Sequence, residues 1–228
     1  MYIDAHAHLE NSDVPKDFIV ITNGLNLETN KKALSMANKN VKIALGLYPL
    51  EGIKLKEHEI NKNVSFIEKN KEKIIAVGEI GLDFKFNHDK KQVEIFEKLL
   101  RLSEKIKKPV IIHSRGAEKE ILKILPSFKL KNVVMHYFSG DLDLINDEYY
   151  YTVNVSIVER KKVQELARRL DITQILTESD SPFVNIKKRN SRVEDVKEAV
   201  EKIAQIRNLP LDTIKDTIFK NYKKCFHE

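Results

Sequence analysis

Cysteine is almost absent from this chain: Cys225, near the C-terminus, is the only one among 228 residues. A single cysteine can form neither an internal disulfide nor a thiolate cluster for a metal ion. Long apolar runs are absent too, since none approaches the ~18 to 20 residues that a membrane-spanning helix needs. The first residues show no secretory signal. We therefore expect a cytoplasmic protein with no membrane partner.

Linkers are also missing from the sequence. No glycine- or serine-rich stretch, low-complexity tract or internal repeat divides it. A charged content of 32% and an apolar content of 42% are typical of a folded chain. We expect one domain over residues 1–228, with a closing helix near residues 212–225. The net charge of +6 would attract a polyanion such as nucleic acid, although a solvated lysine-rich exterior is an alternative explanation.

Short apolar runs rich in β-branched residues recur along the whole sequence. They are nearly continuous rather than alternating, which favours strands buried on both faces of a parallel sheet. The predicted strands are Tyr2–His6, Phe18–Thr22, Val41–Gly46, Ile74–Gly78, Val110–His113, Asn132–His136, Tyr151–Val155 and Ile172–Thr177.

Segments with helical spacing lie between most of these strands. In Lys90–Lys107 one apolar stripe runs among lysines and glutamates, and Pro109 then prevents the helix from continuing. The other predicted helices are Glu28–Asn38, Lys56–Lys69, Ala117–Leu125, Arg160–Arg169 and Val193–Arg207. Eight strands alternating with helices predict a closed (β/α)8 barrel of the TIM type, and an open doubly wound sheet is the main alternative.

Six side chains that can ligate metal stand at or just beyond the ends of predicted strands. They are His6, His8, Glu79, His113, His136 and Asp180. The C-terminal ends of barrel strands all face one mouth, so we expect the six to converge there. Imidazole and carboxylate together are ligands for zinc, manganese and similar divalent ions. Each residue alone could be structural, but six at one face predict a metal centre.

Other histidines and several basic residues fall outside this set. His58, His88 and His227 lie in helical, loop or tail stretches, and we expect them at the surface. Basic residues also follow the predicted strands, at Lys85, Arg115, Arg160, Lys187, Lys188 and Arg189. Arg115 and Arg189 are the strongest candidates for binding a phosphate, because a guanidinium donates two hydrogen bonds at once.

Five segments resemble the motifs of the TatD family of metal-dependent deoxyribonucleases, which belong to the amidohydrolase-like barrels. They are Asp4–Leu9 (DAHAHL), Gly78–Phe84 (GEIGLDF), Pro109–Arg115 (PVIIHSR), Met135–Gly140 (MHYFSG) and Glu178–Pro182 (ESDSP). Arg189 with Asn190, and Asn221 with Phe226, also match the family's closing segment. The resemblance covers essentially the whole chain.

The resemblance implies a site for two divalent metal ions. Glu79 would bridge both ions, His6, His8 and Asp180 would complete one, and His113 with His136 the other. The chain departs from the family at one turn, Gly46–Pro49 (GLYP), where Tyr48 replaces the usual histidine. That position is expected near the substrate, where the tyrosine ring could stack on a terminal base or simply close the turn.

The resemblance also implies the chemistry, which is hydrolysis of phosphodiester bonds in DNA by a water that the two ions activate. We expect cleavage at strand ends, because a barrel of only 228 residues should have short loops and a compact pocket. Asp180 would be the general base, and Glu79 the second catalytic carboxylate. Zinc, manganese and magnesium all remain open. One alternative is an amidohydrolase or phosphoesterase for a small metabolite, although many amidohydrolases bridge their metals with a carbamylated lysine rather than a glutamate. Another is a non-catalytic nucleic-acid-binding module, which would be expected to have lost ligands, and none is missing.

Overall fold

A computed structural model describes all 228 residues and contains a barrel of eight parallel strands. The strands are β1 (Tyr2–Ala7), β2 (Phe18–Asn23), β3 (Val41–Leu45), β4 (Ala76–Gly81), β5 (Val110–His113), β6 (Val133–Met135), β7 (Tyr150–Asn154) and β8 (Ile175–Glu178). Each strand lies beside the next one in the chain, and β8 returns to β1. A doubly wound sheet would reverse its strand order at a switch point. The predicted (β/α)8 barrel is therefore confirmed, and the open-sheet alternative is wrong.

Eight helices surround this barrel. They are α1 (Leu27–Ser35), α2 (Pro49–Gly52), α3 (Glu57–Lys69), α4 (Lys90–Ile106), α5 (Glu118–Ile124), α6 (Lys161–Arg169), α7 (Val196–Arg207) and α8 (Leu211–Phe226). Helix α4 shows why they form: Asp89 caps its first turn, and Phe96 and Leu99 are fully buried on its inner face. No helix of the structure combines the length and the apolar character that crossing a membrane requires.

Some predicted boundaries are wrong. Strand β4 continues past Gly78 to Gly81, so Glu79 lies inside it. The charged residue ends the apolar run in the sequence, although its side chain faces a polar site inside the barrel. Residues 172–174 form a 3-10 turn before β8, because the side chain of Asp171 accepts the N–H of Thr173 and caps the turn.

A small hairpin after β8 was not predicted. Its strands are β9 (Asn185–Ile186) and β10 (Arg189–Asn190). The two residues of its turn, Lys187 and Lys188, both have positive φ angles, 48° and 61°. Turns of this type normally carry asparagine or glycine, so two lysines give no signal for one.

The seam between β8 and β1 differs from the other strand junctions, which are parallel backbone ladders. At its lower end Thr177 Oγ1 donates to the carbonyl of Ile3 at 2.5 Å. In the middle, the buried carboxylate of Asp4 accepts both the N–H and the hydroxyl of Ser179, at 2.9 and 2.5 Å. At the mouth, the N–H of Asp180 donates to the carbonyl of His6 at 2.9 Å. Side chains therefore close much of this seam.

Two of the ladders contain a register irregularity, and both irregularities lie at candidate metal ligands. One falls between Asp4 and Ala7 of β1, around His6, and the other between Val77 and Ile80 of β4, around Glu79. Bulges of this kind redirect side chains and are common beside active sites. Local backbone geometry thus turns His6 and Glu79 toward the mouth.

The seam generates a stability prediction. Thr177→Val keeps the side-chain shape but removes the donor to Ile3, so we expect the free energy of unfolding to fall by about 1 kcal/mol in urea titrations. Thr217→Val is the matched control, since its hydroxyl bonds only to Thr213 on the exposed surface of α8. If both variants lose the same free energy of unfolding, the hydrogen bond across the seam stabilises the fold no more than a surface hydrogen bond does.

Candidate metal centre

The barrel brings all six predicted ligands to its mouth. His6 lies in β1 and Glu79 in β4, His113 ends β5, and the other three follow their strands within two residues. Only His8 is partly exposed, whereas the remaining five are buried. Their donor atoms fall into two groups that share Glu79.

The first group consists of His6 Nε2, His8 Nε2, Glu79 Oε2 and Asp180 Oδ1. The two imidazole nitrogens lie 3.1 Å apart. Glu79 Oε2 is 3.6 and 3.4 Å from His6 and His8, and Asp180 Oδ1 is 3.7 and 3.6 Å from them. Four ligands at zinc-like distances from a tetrahedral centre would be spaced about 3.3–3.6 Å apart. The donor set and its spacing therefore fit one divalent ion.

The second group lies on the other side of the same carboxylate. Glu79 Oε1 is 2.8 Å from His113 Nδ1 and 3.8 Å from His136 Nε2. These three residues form a cluster that could hold a metal ion. Because the two oxygens of Glu79 face different histidine pairs, the carboxylate has the orientation of a bridge.

Outer partners orient the histidine rings. His8 Nδ1 donates to the carbonyl of Asn23 at 3.0 Å, and His136 Nδ1 donates to Glu178 Oε2 at 2.7 Å. Such bonds fix the tautomer and leave the opposite ring nitrogen as a metal ligand. Asn154 donates to the other oxygen of Glu178 at 3.1 Å. Glu178 was not among the predicted site residues, although it stands in one of the motif segments, two residues before Asp180.

Asp83 is a second site residue that was not predicted from the sequence. Its fully buried Oδ2 accepts from His113 Nε2 at 3.0 Å, from Tyr48 Oη at 3.1 Å and from Arg115 Nε and Nη2 at 3.0 and 2.6 Å. Asp83 comes four residues after Glu79, just beyond the end of β4, and this position could have indicated a role at the mouth of the barrel. Asp83 thus connects a candidate ligand to two predicted substrate contacts.

Tyr48 takes part in this network rather than only closing its turn. The hydroxyl bonds to Asp83, and the ring packs edge-on against His113 with centroids 5.1 Å apart. Burial and the charges of Glu79 and Asp83 raise the pKa of the Tyr48 hydroxyl, so it stays protonated and donates.

Protonation states differ across the cluster. Burial, with the charge of His136, lowers the pKa of His6 to about 3, so this ring is neutral. Burial opposes ionisation of Glu79, but hydrogen bonds from His113 and His6 hold its pKa well below the usual range. Burial would lower the pKa of His136, yet the charge of Glu178 raises it to about 10. An ion bound at His136 would therefore displace a proton.

Asp180 has an unusual backbone and one free oxygen. Its φ angle is 48°, a left-handed conformation that aspartate tolerates better than most residues. Oδ1 faces His6 and His8, while Oδ2 bonds to no protein group. Burial raises the pKa of the Asp180 carboxyl to about 7, against the opposing charge of His136.

A cavity of about 900 Å³ opens above the two groups. Four cations line it, namely Lys85, Arg115, Arg160 and Lys162. Lys162 was not predicted, because it lies inside helix α6, one residue after its start. Arg115 uses Nε and Nη2 on Asp83 and Tyr48, which leaves Nη1 without a protein partner.

Arg189, by contrast, does not line this cavity. Its two terminal nitrogens bond to Asp195 at 2.9 and 2.5 Å, and it borders a neighbouring groove instead. Lys187 is paired with Glu198 at 2.5 Å. The β9–β10 hairpin thus directs the Arg189 guanidinium to Asp195, and a contact between Arg189 and the substrate stays a prediction. His58, His88 and His227 are exposed, as expected.

Comparisons with known proteins agree with this geometry. The family model described as TatD related DNase matches residues 3–227. An uncharacterized metal-dependent hydrolase of Methanocaldococcus jannaschii is 32% identical, with 99% of this chain and 96% of that protein covered. The human deoxyribonuclease TATDN3 is 24% identical, with 98% and 94% covered.

Solved structures show the same fold. The TatD homologue YjjV of Escherichia coli superimposes with a TM-score of 0.85 at 23% identity, covering 100% of this chain and 98% of that one. A dihydroorotase of Campylobacter jejuni gives a TM-score of 0.65 at 14% identity, covering 100% and 83%. The family match over nearly the full length, together with the buried ligand clusters, identifies the chain as a member of the TatD-related DNase family of metal-dependent hydrolases.

Proposed function

We propose that this protein hydrolyses phosphodiester bonds in DNA with two divalent ions, releasing nucleotides from a strand end. The observation that carries the proposal is the orientation of Glu79, whose two oxygens face two separate ligand groups below a cavity lined by cations. Paired ions about 3.5 to 4 Å apart are a recurrent arrangement in phosphatases and nucleases.

The chain's own residues would hold both ions. His6, His8, Asp180 and Glu79 would form a four-ligand site, and His113, His136 and Glu79 would form a more open one. When bound, two divalent ions act as Lewis acids on the phosphate and lower the pKa of a water molecule between them. Four imidazoles in the ligand set favour zinc or manganese over magnesium, which prefers oxygen ligands.

Asp180 is placed to accept a proton from the attacking water. Its Oδ2 bonds to no protein group and the residue lines the cavity, so a water can reach this oxygen. Its Oδ1, which faces His6 and His8, keeps the carboxylate oriented. A base held in this way contributes typically about 10² to 10⁴-fold to the rate.

The cations on the cavity wall would bind the phosphate and its neighbours. Arg115 is held rigidly by Asp83 and presents Nη1, and Arg160 makes no ion pair within the protein. Because Arg115 and Arg160 follow different strands, they are better suited to bind successive phosphates of a nucleic-acid strand than a single small carboxylate or amide. The volume of about 900 Å³ is of the size class of small-ligand pockets, which supports entry of a strand end rather than a duplex.

A direct assay tests the proposal. Protein loaded with zinc or manganese is incubated with end-labelled single- and double-stranded DNA, RNA, a phosphomonoester and a cyclic amide. We expect stepwise shortening of DNA that stops when a chelator removes the metal. Turnover of the cyclic amide or the phosphomonoester alone would contradict the proposal and support a small-metabolite hydrolase.

The roles of Asp180 and Arg160 should separate kinetically. Asp180→Asn keeps an oxygen ligand but removes the base, so kcat should fall by about 10² to 10⁴-fold. Arg160→Ala should raise KM and reduce the salt slope of DNA binding by about 1, with kcat nearly unchanged. Arg101→Ala removes a charge from the outer surface of α4 and should change neither quantity. Equal losses of kcat at positions 160 and 180 would refute this division.

Asp83 should act on metal affinity through His113. Asp83→Asn removes the charge that orients His113 and Arg115, so the weaker of two metal-binding events should lose about 10 to 100-fold in affinity by titration calorimetry. Tyr48→Phe removes one donor to the same oxygen and keeps the ring, and should leave metal affinity nearly unchanged. The account of Asp83 is wrong if both variants bind metal like the wild type.

A further inference from the structure

Two phenylalanines are unusually exposed, and both stand at the mouth. Phe86 and Phe183 each leave 65% of their surface accessible, more than any other large apolar residue. Exposed aromatic side chains beside a polar cavity are a common feature of binding sites. Neither ring contributes to the barrel core.

Phe183 is adjacent to the first ligand group. It comes three residues after Asp180, and its N–H donates to the carbonyl of Asp180 at 2.8 Å. Its ring lies against the imidazole of His8, with centroids 5.0 Å apart, and lines the cavity. Most of the ring remains open above the metal centre.

Phe86 is in the loop that follows β4, on the rim of the second group. The guanidinium of Arg115 lies 4.5 Å from its ring centroid, and Asp83 fixes that guanidinium from below. This contact orients Phe86 while leaving most of its surface accessible. Lys85, its neighbour in the chain, lines the cavity.

The strand order places the two rings on opposite sides of the mouth. Phe183 follows β8 and lies beside His8, one residue after the end of β1. Phe86 follows β4 and lies beside Arg115, two residues after the end of β5. In a barrel of eight strands in sequential order, the β8–β1 junction is opposite the β4–β5 junction. The cavity between these two junctions is lined by Glu79, by Phe183 and by the four cations.

We propose that Phe183 and Phe86 are specificity-determining residues that stack on the two nucleobases flanking the bond to be cleaved. The inference rests on the proposed function and deepens it. Phosphate oxygens would meet the ions and the cations at the centre, and a flat apolar group on each side would meet a phenyl ring. Every base has a π-face, so such stacking tolerates any sequence but requires a base.

The requirement for a base gives a sharp test with matched substrates. Two short dye-labelled oligonucleotides are compared, one intact and one lacking the bases at its two terminal nucleotides. Binding is measured by fluorescence anisotropy on the metal-loaded Asp180→Asn background, where turnover is suppressed. Phe183→Ala should weaken binding of the intact strand about tenfold and leave the abasic strand unchanged.

Controls separate stacking from general damage. Phe183→Tyr keeps the ring and should restore the affinity. Leu209→Ala truncates an exposed apolar residue in the loop between α7 and α8, away from the mouth, and should have no effect. Phe86→Ala should behave like Phe183→Ala, with the second base as its partner.

The outcomes distinguish this inference from the function on which it rests. Equal loss of affinity for both strands, or no loss in either phenylalanine variant, overturns the stacking role. Hydrolysis is scored separately with the wild-type enzyme on the same strands. Absence of cleavage there overturns the proposed function, while the anisotropy comparison alone decides whether the rings recognise bases.

Discussion

The carboxylate of Glu79, buried among four imidazoles, is the interaction on which the site depends. A buried charge is costly unless it is paired and hydrogen-bonded, and here each oxygen meets its own pair of histidine nitrogens. Two divalent ions would satisfy this arrangement completely, because each would join one oxygen to one histidine pair. The register of β4 is irregular at this residue, and this irregularity directs the Glu79 side chain toward the mouth.

The rest of the architecture holds that geometry in place. Closure of the barrel brings Asp180 beside His6, where a backbone hydrogen bond between them fixes their spacing. Asn23, Asp83 and Glu178 form an outer layer that sets the imidazole orientations. Asp83 also extends this layer to Arg115, so that a substrate-facing cation and a metal ligand share one anchoring oxygen.

Sequence alone predicted the barrel and the convergence of the six ligands, because apolar runs reveal strands and strand ends of a barrel share one face. The metal set remains a proposal that the geometry supports. The outer carboxylates Asp83 and Glu178 could not be assigned, since their partners lie on other strands and depend on side-chain direction. The pairing of Arg189 with Asp195 could not be predicted, because the Lys187–Lys188 turn carries no glycine or asparagine that would indicate a hairpin.

Anomalous X-ray diffraction from crystals grown with manganese would locate the metal ions directly. We expect two anomalous peaks per chain, roughly 3.5 to 4 Å apart, with Glu79 bound to both. One peak should contact His6, His8 and Asp180, and the other His113 and His136. A single peak, or two peaks that do not share Glu79, would contradict the bridging role and with it the two-metal mechanism.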